Sequence, residues 1–143
     1  MTGTGSTFAN DLLLLLFQGT SIANVAVNAT SSPITNIYVS LHTADPTAGN
    51  QTTSEAAYTS YSRVAVARTS SGWTVSTNTV VPVATVSFPA ATGGSETEAY
   101  AGLGTVASTG TGLLLFAGSI SPTIVVSNGV TPQLTTATTL TLT

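Results

Sequence analysis

Apolar positions along this chain follow two different periods, and the change from one to the other falls near Thr20. Phe8, Leu12, Leu15 and Leu16 repeat at helical spacing, and Leu13, Leu14 and Phe17 widen the stripe around most of the circumference. This predicts a helix over Phe8–Phe17, capped by Thr7 or Ser6 and stopped at Gly19, with Asp11 near its positive end. A helix apolar nearly all round asks for burial on several sides. In so short a chain part of that burial can come from another subunit. The candidate protein interface is therefore Phe8, Leu12, Leu13, Leu15, Leu16 and Phe17.

Beyond Thr20 the period shortens to two. Ile37, Val39 and Leu41 fall on one face of a strand over Ile34–His42, with Tyr38, Ser40 and His42 on the other. Tyr61–Thr69, a strand opened by Gly72-Trp73 and turned at Asn78, Val83–Phe88 and Glu98–Val106 continue the pattern. In Glu98–Val106, Gly102 and Gly104 leave room for something to approach the backbone closely. Leu113–Phe116 reads as a short buried strand, Ile124–Ser127 as another, and Asn128-Gly129 as a hairpin signal. In the last strand, Gln133–Thr143, Leu134, Leu140 and Leu142 share a face. Ile22–Val27 is apolar but ambiguous between the two periods. The fold class expected is mainly β, an antiparallel β-sandwich or barrel with one short N-terminal α-helix. Its length suits one domain, with a tail and helix over 1–20 and the β-structure over 21–143. No repeat of fixed period supports a solenoid, a propeller or a long fibre shaft.

Charge changes the picture more than hydrophobicity does. The apolar fraction is an ordinary 42%, yet the chain holds two arginines, no lysine and five carboxylates, for a net charge of −3. Two cations are too few to neutralise a phosphate backbone or to hold an anionic membrane surface. Nucleic acid and membranes are accordingly not expected partners. The run Leu12–Phe17 is too short to span a bilayer and has no basic segment ahead of it, so neither an anchor nor a secretory signal is expected. The chain has no cysteine and a single histidine, which leaves little for a metal site, and no cofactor is expected.

Candidate chemistry is sparse. His42 with Asp45 could form a base and its orienting acid in a hydrolase, but no G-x-S-x-G elbow accompanies them. A hydrogen-bonded strand histidine and an Asx turn before Pro46 are the simpler readings. Glu96 and Glu98 share a face as paired acids do, but they follow Gly93-Gly94-Ser95, which points to a solvated loop edge. Arg63, with so few counter-charges available, pairs with Glu55 or with backbone carbonyls. Trp73, Tyr38, Tyr58, Tyr61 and Tyr100 are candidates for a carbohydrate-binding platform, against a default of core packing.

The blocks IYVSLHTADP (37–46), EAAY (55–58), YSRVAV (61–66), WTV (73–75), VSFPAA (86–91) and GLLLFAG (112–118) occur in an order that resembles a family of small tailed-bacteriophage structural proteins labelled tail fibre proteins. The likeness extends from about Phe8 to the C-terminus, including the leucine-rich opening. It implies a virion component without catalytic residues, assembled in the host cytoplasm. Its partners would be other virion proteins, major capsid or tail proteins, and further copies of itself, with a trimer the expected oligomer. A compact chain without a repeat fits a capsid decoration or cement protein at least as well as a tail fibre or baseplate part. Head decoration is therefore the favoured expectation, with the fibre and a receptor-binding module as alternatives.

Overall fold

The computed structural model describes residues 6–21, 34–108 and 110–142. The ambiguous Ile22–Val27 segment lies outside them. Among the described residues the chain is mainly β, with one helix and open antiparallel sheets, a sandwich-like class in which no sheet closes into a barrel. It divides into two compact units, each assembled from separated stretches: residues 1–36, 66–85 and 135–143 in one, residues 37–65 and 86–134 in the other. The N-terminal helix thus belongs with two later segments of chain.

In the first unit α1 runs over Ser6–Gln18, so Ser6 and Thr7 lie inside its first turn instead of capping it. Gly19 ends it with a φ of 70°, a left-handed conformation that favours glycine, and the Thr20 N–H turns back to the Leu14 carbonyl. Ala9, Leu13 and Phe17, each four residues apart, are its buried line, while Leu12, Leu14, Leu15 and Leu16 are half-buried. The face that bears Leu12, Leu15 and Leu16 is therefore not the one turned inward. Ala9 carries only a methyl group, so the line that contains it permits the closest approach of the helix.

That line packs on β3 (Trp73–Ser76) and β4 (Thr79–Pro82), a hairpin joined at Thr77-Asn78 and extended by β9 (Leu140–Thr141). Phe17 and Trp73 meet edge to face at 4.8 Å, and Val80 is buried in the same unit. Arg68 closes the far end of the helix. Its guanidinium donates to the carbonyls of Leu15 and Leu16, and its Nη1 reaches that of Ile34 at 3.3 Å. A cation here satisfies two of the carbonyls that a helix leaves open and meets its negative end.

A four-stranded sheet ordered β2-β1-β6-β7 falls mostly within the second unit, from β1 (Asn36–His42), β2 (Val64–Ala67), β6 (Glu96–Gly104) and β7 (Leu114–Val126). The same unit also holds a short two-stranded ladder of β5 (Val86–Ser87) and β8 (Gln133–Leu134). Ile37, Val39 and Leu41 are buried as their alternation requires. Ser40 and His42, on the opposite face, are buried too. The segment Gln51–Ala56 covers them, pairing Ala56 N–H with the Leu41 carbonyl and Thr43 N–H with the Ser54 carbonyl.

Three expectations for the C-terminal half fail for a shared reason. Leu113–Phe116 is not an interior strand: Leu113 is 65 % exposed, and Leu114–Phe116 open the long strand β7, which continues through Ile124–Val126. Asn128-Gly129 makes a turn but no hairpin, because β8 pairs with β5 and not with β7. Gln133–Thr143 splits into β8 and β9, which lie in different units, so Leu134 shares no face with Leu140 and Leu142. In each case local pattern identified extended chain, while the partner strand was fixed by distant residues.

Candidate functional site

The densest polar cluster of the second unit is organised by Arg63. Its Nε and Nη2 donate to the two oxygens of Glu55 at 2.6 and 2.7 Å, a bidentate fork that suits a guanidinium and a carboxylate. Nη1 donates to the carbonyls of Val106 and Ser108 at 2.9 and 2.7 Å, with the Gly110 carbonyl at 3.3 Å. Glu55 also accepts from the Tyr61 hydroxyl at 3.0 Å, and that hydroxyl in turn receives the Leu41 N–H. Both expected classes of partner for Arg63 are thus engaged at once. The result is a loop between β6 and β7 held by its main chain.

Gln51 holds the same loop from the other side, its Oε1 accepting from the N–H groups of Thr105 and Val106 at 3.0 Å each. The glycines of β6 make room for this. A Cβ at Gly104 would fall 2.0 Å from Gln51 Cδ, and one at Gly102 would fall 2.5 Å from His42 Nε2. What approaches that backbone closely is the chain's own Gln51 and His42. Sequence reading passed over Gln51, although it follows the Gly49-Asn50 turn that aims it inward.

His42 is fully buried. Its Nδ1 lies 2.9 Å from the Thr53 carbonyl, an obligate acceptor, so Nδ1 carries the proton and Nε2 accepts from Ser40 Oγ at 2.8 Å. Burial holds its pKa below the ordinary 6.5, opposed by the hydrogen bond to Thr53. The stability this neutral ring contributes is present above pH 6.5 and lost on acidification. Asp45 is elsewhere, its Oδ1 accepting from Thr47 N–H and Oγ1 at 2.9 and 2.7 Å in the expected Asx turn. With both side chains committed to other partners, the geometry brings no His42–Asp45 dyad together.

Glu96 and Glu98 depart from the solvated loop edge. Both lie in β6, and Glu96 Oε1 accepts the N–H groups of Ala57 and Tyr58 at 2.9 and 2.7 Å. Glu98 is 0 % exposed. Burial, with the charge of Glu96 second, pushes its carboxyl up to about 8. Tyr58, whose hydroxyl donates to the Pro89 carbonyl, is pushed up to about 12 by burial and by these two carboxylates. The folded chain thus holds a proton on Glu98 that the unfolded chain releases near 4.5. The stability tied to that proton is fully present below about pH 4.5 and is lost as pH rises through about 8. Glu98→Gln is expected to flatten the melting temperature between about pH 4.5 and 8, the interval over which the wild type declines. Thermal unfolding at a series of pH values checks this, and parallel declines for both proteins would refute it.

The aromatic candidates separate. Trp73 is buried against Phe17 in the first unit, and Tyr58 is buried in the second beside Tyr61, which stacks on Phe88. Their packing within each unit follows the core reading. Of the interface candidates, Leu13 and Phe17 are committed to the chain's own core. Leu12, Leu15 and Leu16 stay half-buried, and the side chain of Phe8 lies outside the described residues.

A protein-family model described as podophage GP4 fiber I protein gp80 matches residues 6–143. The chain belongs to that family. No curated protein matches it. Membership of the gp80 fibre family agrees with the resemblance carried by residues 37–46 and the blocks after it. It favours the fibre alternative over head decoration. For a gp80-type fibre protein, the polar cluster around Arg63 reads as architecture that fixes a surface loop. Among the described residues no helix is long and apolar enough to cross a membrane.

Proposed function

We propose that this chain is a non-enzymatic structural module of a podophage tail fibre, carried on the virion and assembled from several copies. The match to the fibre family over residues 6–143 carries this reading. The way the chain uses its charges supports it. Arg63 and Glu55 neutralise each other in the interior, Arg68 closes a helix, and Glu98 is buried. Few charged groups remain to keep neighbouring proteins apart. Attachment to another virion protein uses the flank of α1 that bears Leu12, Leu15 and Leu16, with Phe8 in the same helix. The side chains of Leu12, Leu15 and Leu16 remain only half-covered after Leu13 and Phe17 have filled the core. Repetition of such a contact around a symmetric particle multiplies a weak attachment.

Gold-labelled antibody against the purified chain, applied to intact particles, tests the assignment. Label along the fibres is the expected result. Label spread over the head would replace this reading with capsid decoration, and unlabelled particles would remove the virion role altogether.

A further inference from the structure

The turn at Asn128-Gly129 joins no hairpin, yet it holds the one asparagine of this chain that a glycine follows. Asparagine is among the thermolabile residues. The main-chain nitrogen of the next residue can attack its side-chain amide carbon, and glycine has no side chain to hinder the ring that closes. Elsewhere an asparagine precedes Asp11, Val25, Ala29, Ile37, Gln51 or Thr79, each of which carries a side chain. Gly129 is needed here for its φ of 87°, a left-handed conformation, so the reactive pair comes with the turn. Asn128 and Gly129 are both exposed, and apart from chain neighbours nothing among the described residues comes within 4 Å of the Cβ that Gly129 lacks. Water and base therefore reach the pair.

The fold answers this exposure through the main chain. Gly129 N–H donates to the Ala91 carbonyl at 2.7 Å, and Ala91 N–H donates to the Val130 carbonyl at 2.8 Å. Val130 N–H closes the turn on the Ser127 carbonyl at 3.0 Å. The clasp continues as Phe88 N–H on the Pro132 carbonyl and then as the β5–β8 ladder. Ala91 is 1 % exposed, so the acceptor for Gly129 sits on a buried residue and is not exchanged for water until the clasp opens. The nitrogen that would attack Asn128 is thus the one whose proton is engaged. Ring closure has to remove that proton and turn the nitrogen towards Asn128 Cγ, and both steps break the hydrogen bond.

We propose that Asn128 is a deamidation site that the native chain holds closed through the Ala91–Gly129 hydrogen bond. When the clasp opens, the Gly129 nitrogen gives its proton to base and bonds to Asn128 Cγ. The Cγ–Nδ2 bond breaks, and ammonia leaves with a proton from solvent. Water then opens the cyclic imide at either carbonyl, giving aspartate or isoaspartate. Either product adds a negative charge to the turn. Isoaspartate also lengthens the main chain by a methylene, which takes the Gly129 N–H and the Val130 carbonyl out of joint reach of Ala91. The reaction thus removes the clasp that restrained it. The inference is independent of the proposed function and of where on the virion the chain sits.

The test incubates the purified full chain at mildly alkaline pH, native and unfolded in guanidinium chloride. Peptide mass spectrometry follows conversion at every asparagine, and isoaspartyl methyltransferase labelling counts isoaspartate. In the unfolded chain Asn128 is expected to convert first. In the native chain its conversion is expected to be at least about tenfold slower, equivalent to a local opening free energy of about 1.4 kcal/mol. Exchange of the Gly129 amide proton in the native chain should be slowed by a similar factor, because both reactions pass through the same open form. Equal rates of conversion in the native and unfolded chains would overturn the proposal, as would an unprotected Gly129 proton. Conversion led by another asparagine in the unfolded chain, or none at Asn128, would overturn the choice of site.

Discussion

Replacing Arg63 with methionine is expected to remove about 3–5 kcal/mol of folding stability, the range for breaking one side of a buried ion pair. The size follows from what remains behind. Glu55 loses both charge-assisted donors and keeps only the Tyr61 hydroxyl, in a place where its side chain is 12 % exposed. The carbonyls of Val106, Ser108 and Gly110 lose the guanidinium at the same time. Glu55→Met in the same chain should recover a large share of the loss, because it removes the stranded charge; the carbonyls would remain without their donor. Urea unfolding of the two single variants and the double variant measures both effects. Hydrogen exchange at Thr105 and Val106 should rise in every chain that lacks Arg63. A single-variant loss below about 1 kcal/mol would show the pair behaving like an exposed one.

Phe17→Ala is expected to destabilise by a similar amount, about 3–5 kcal/mol, the usual range for truncating a fully buried phenylalanine. The ring lies at the end of the Ala9–Leu13–Phe17 line, and its loss leaves a cavity against Trp73 as well as removing their edge-to-face contact. Leu15→Ala and Leu16→Ala, at half-buried positions of the same helix, are expected to cost much less. Denaturation of the three variants under one set of conditions gives the ranking. Equal losses would mean that the inward face of α1 is not the one described. If Leu15→Ala leaves folding nearly intact and yet weakens attachment to particles, the two faces of the helix have separate duties.

The ranking also shows where sequence reasoning reached and where it stopped. The alternation of Ile37, Val39 and Leu41 marks a buried face, and burial follows. Asp45 before Pro46 marks an Asx turn, and Thr47 completes it. Arg63 was assigned its partners from scarcity alone. The second face of β1 was not legible, because Ser40 and His42 look like solvent-facing polar residues until Gln51–Ala56 folds over them. Glu98 stands just after a glycine-rich stretch that suggests a loop, yet β6 already begins at Glu96 and tertiary packing encloses the carboxyl. Arg68 was missed for a different reason. Its partners are the carbonyls of Leu15, Leu16 and Ile34, which every residue type carries, so no side-chain pattern could announce them. Within α1 the choice between two apolar faces depended on Ala9, whose small size matters only once a hairpin lies beneath it.

The tip between β6 and β7 is gripped through main-chain carbonyls and N–H groups that any amino acid presents. Ala107, Ser108 and Thr111 point their side chains outward and take no part in that grip. Their identities are thus released from the demands of folding, and substitution there should carry little thermodynamic penalty. Such a tip is a writable patch, where an engineer can graft a short epitope without redesigning the scaffold.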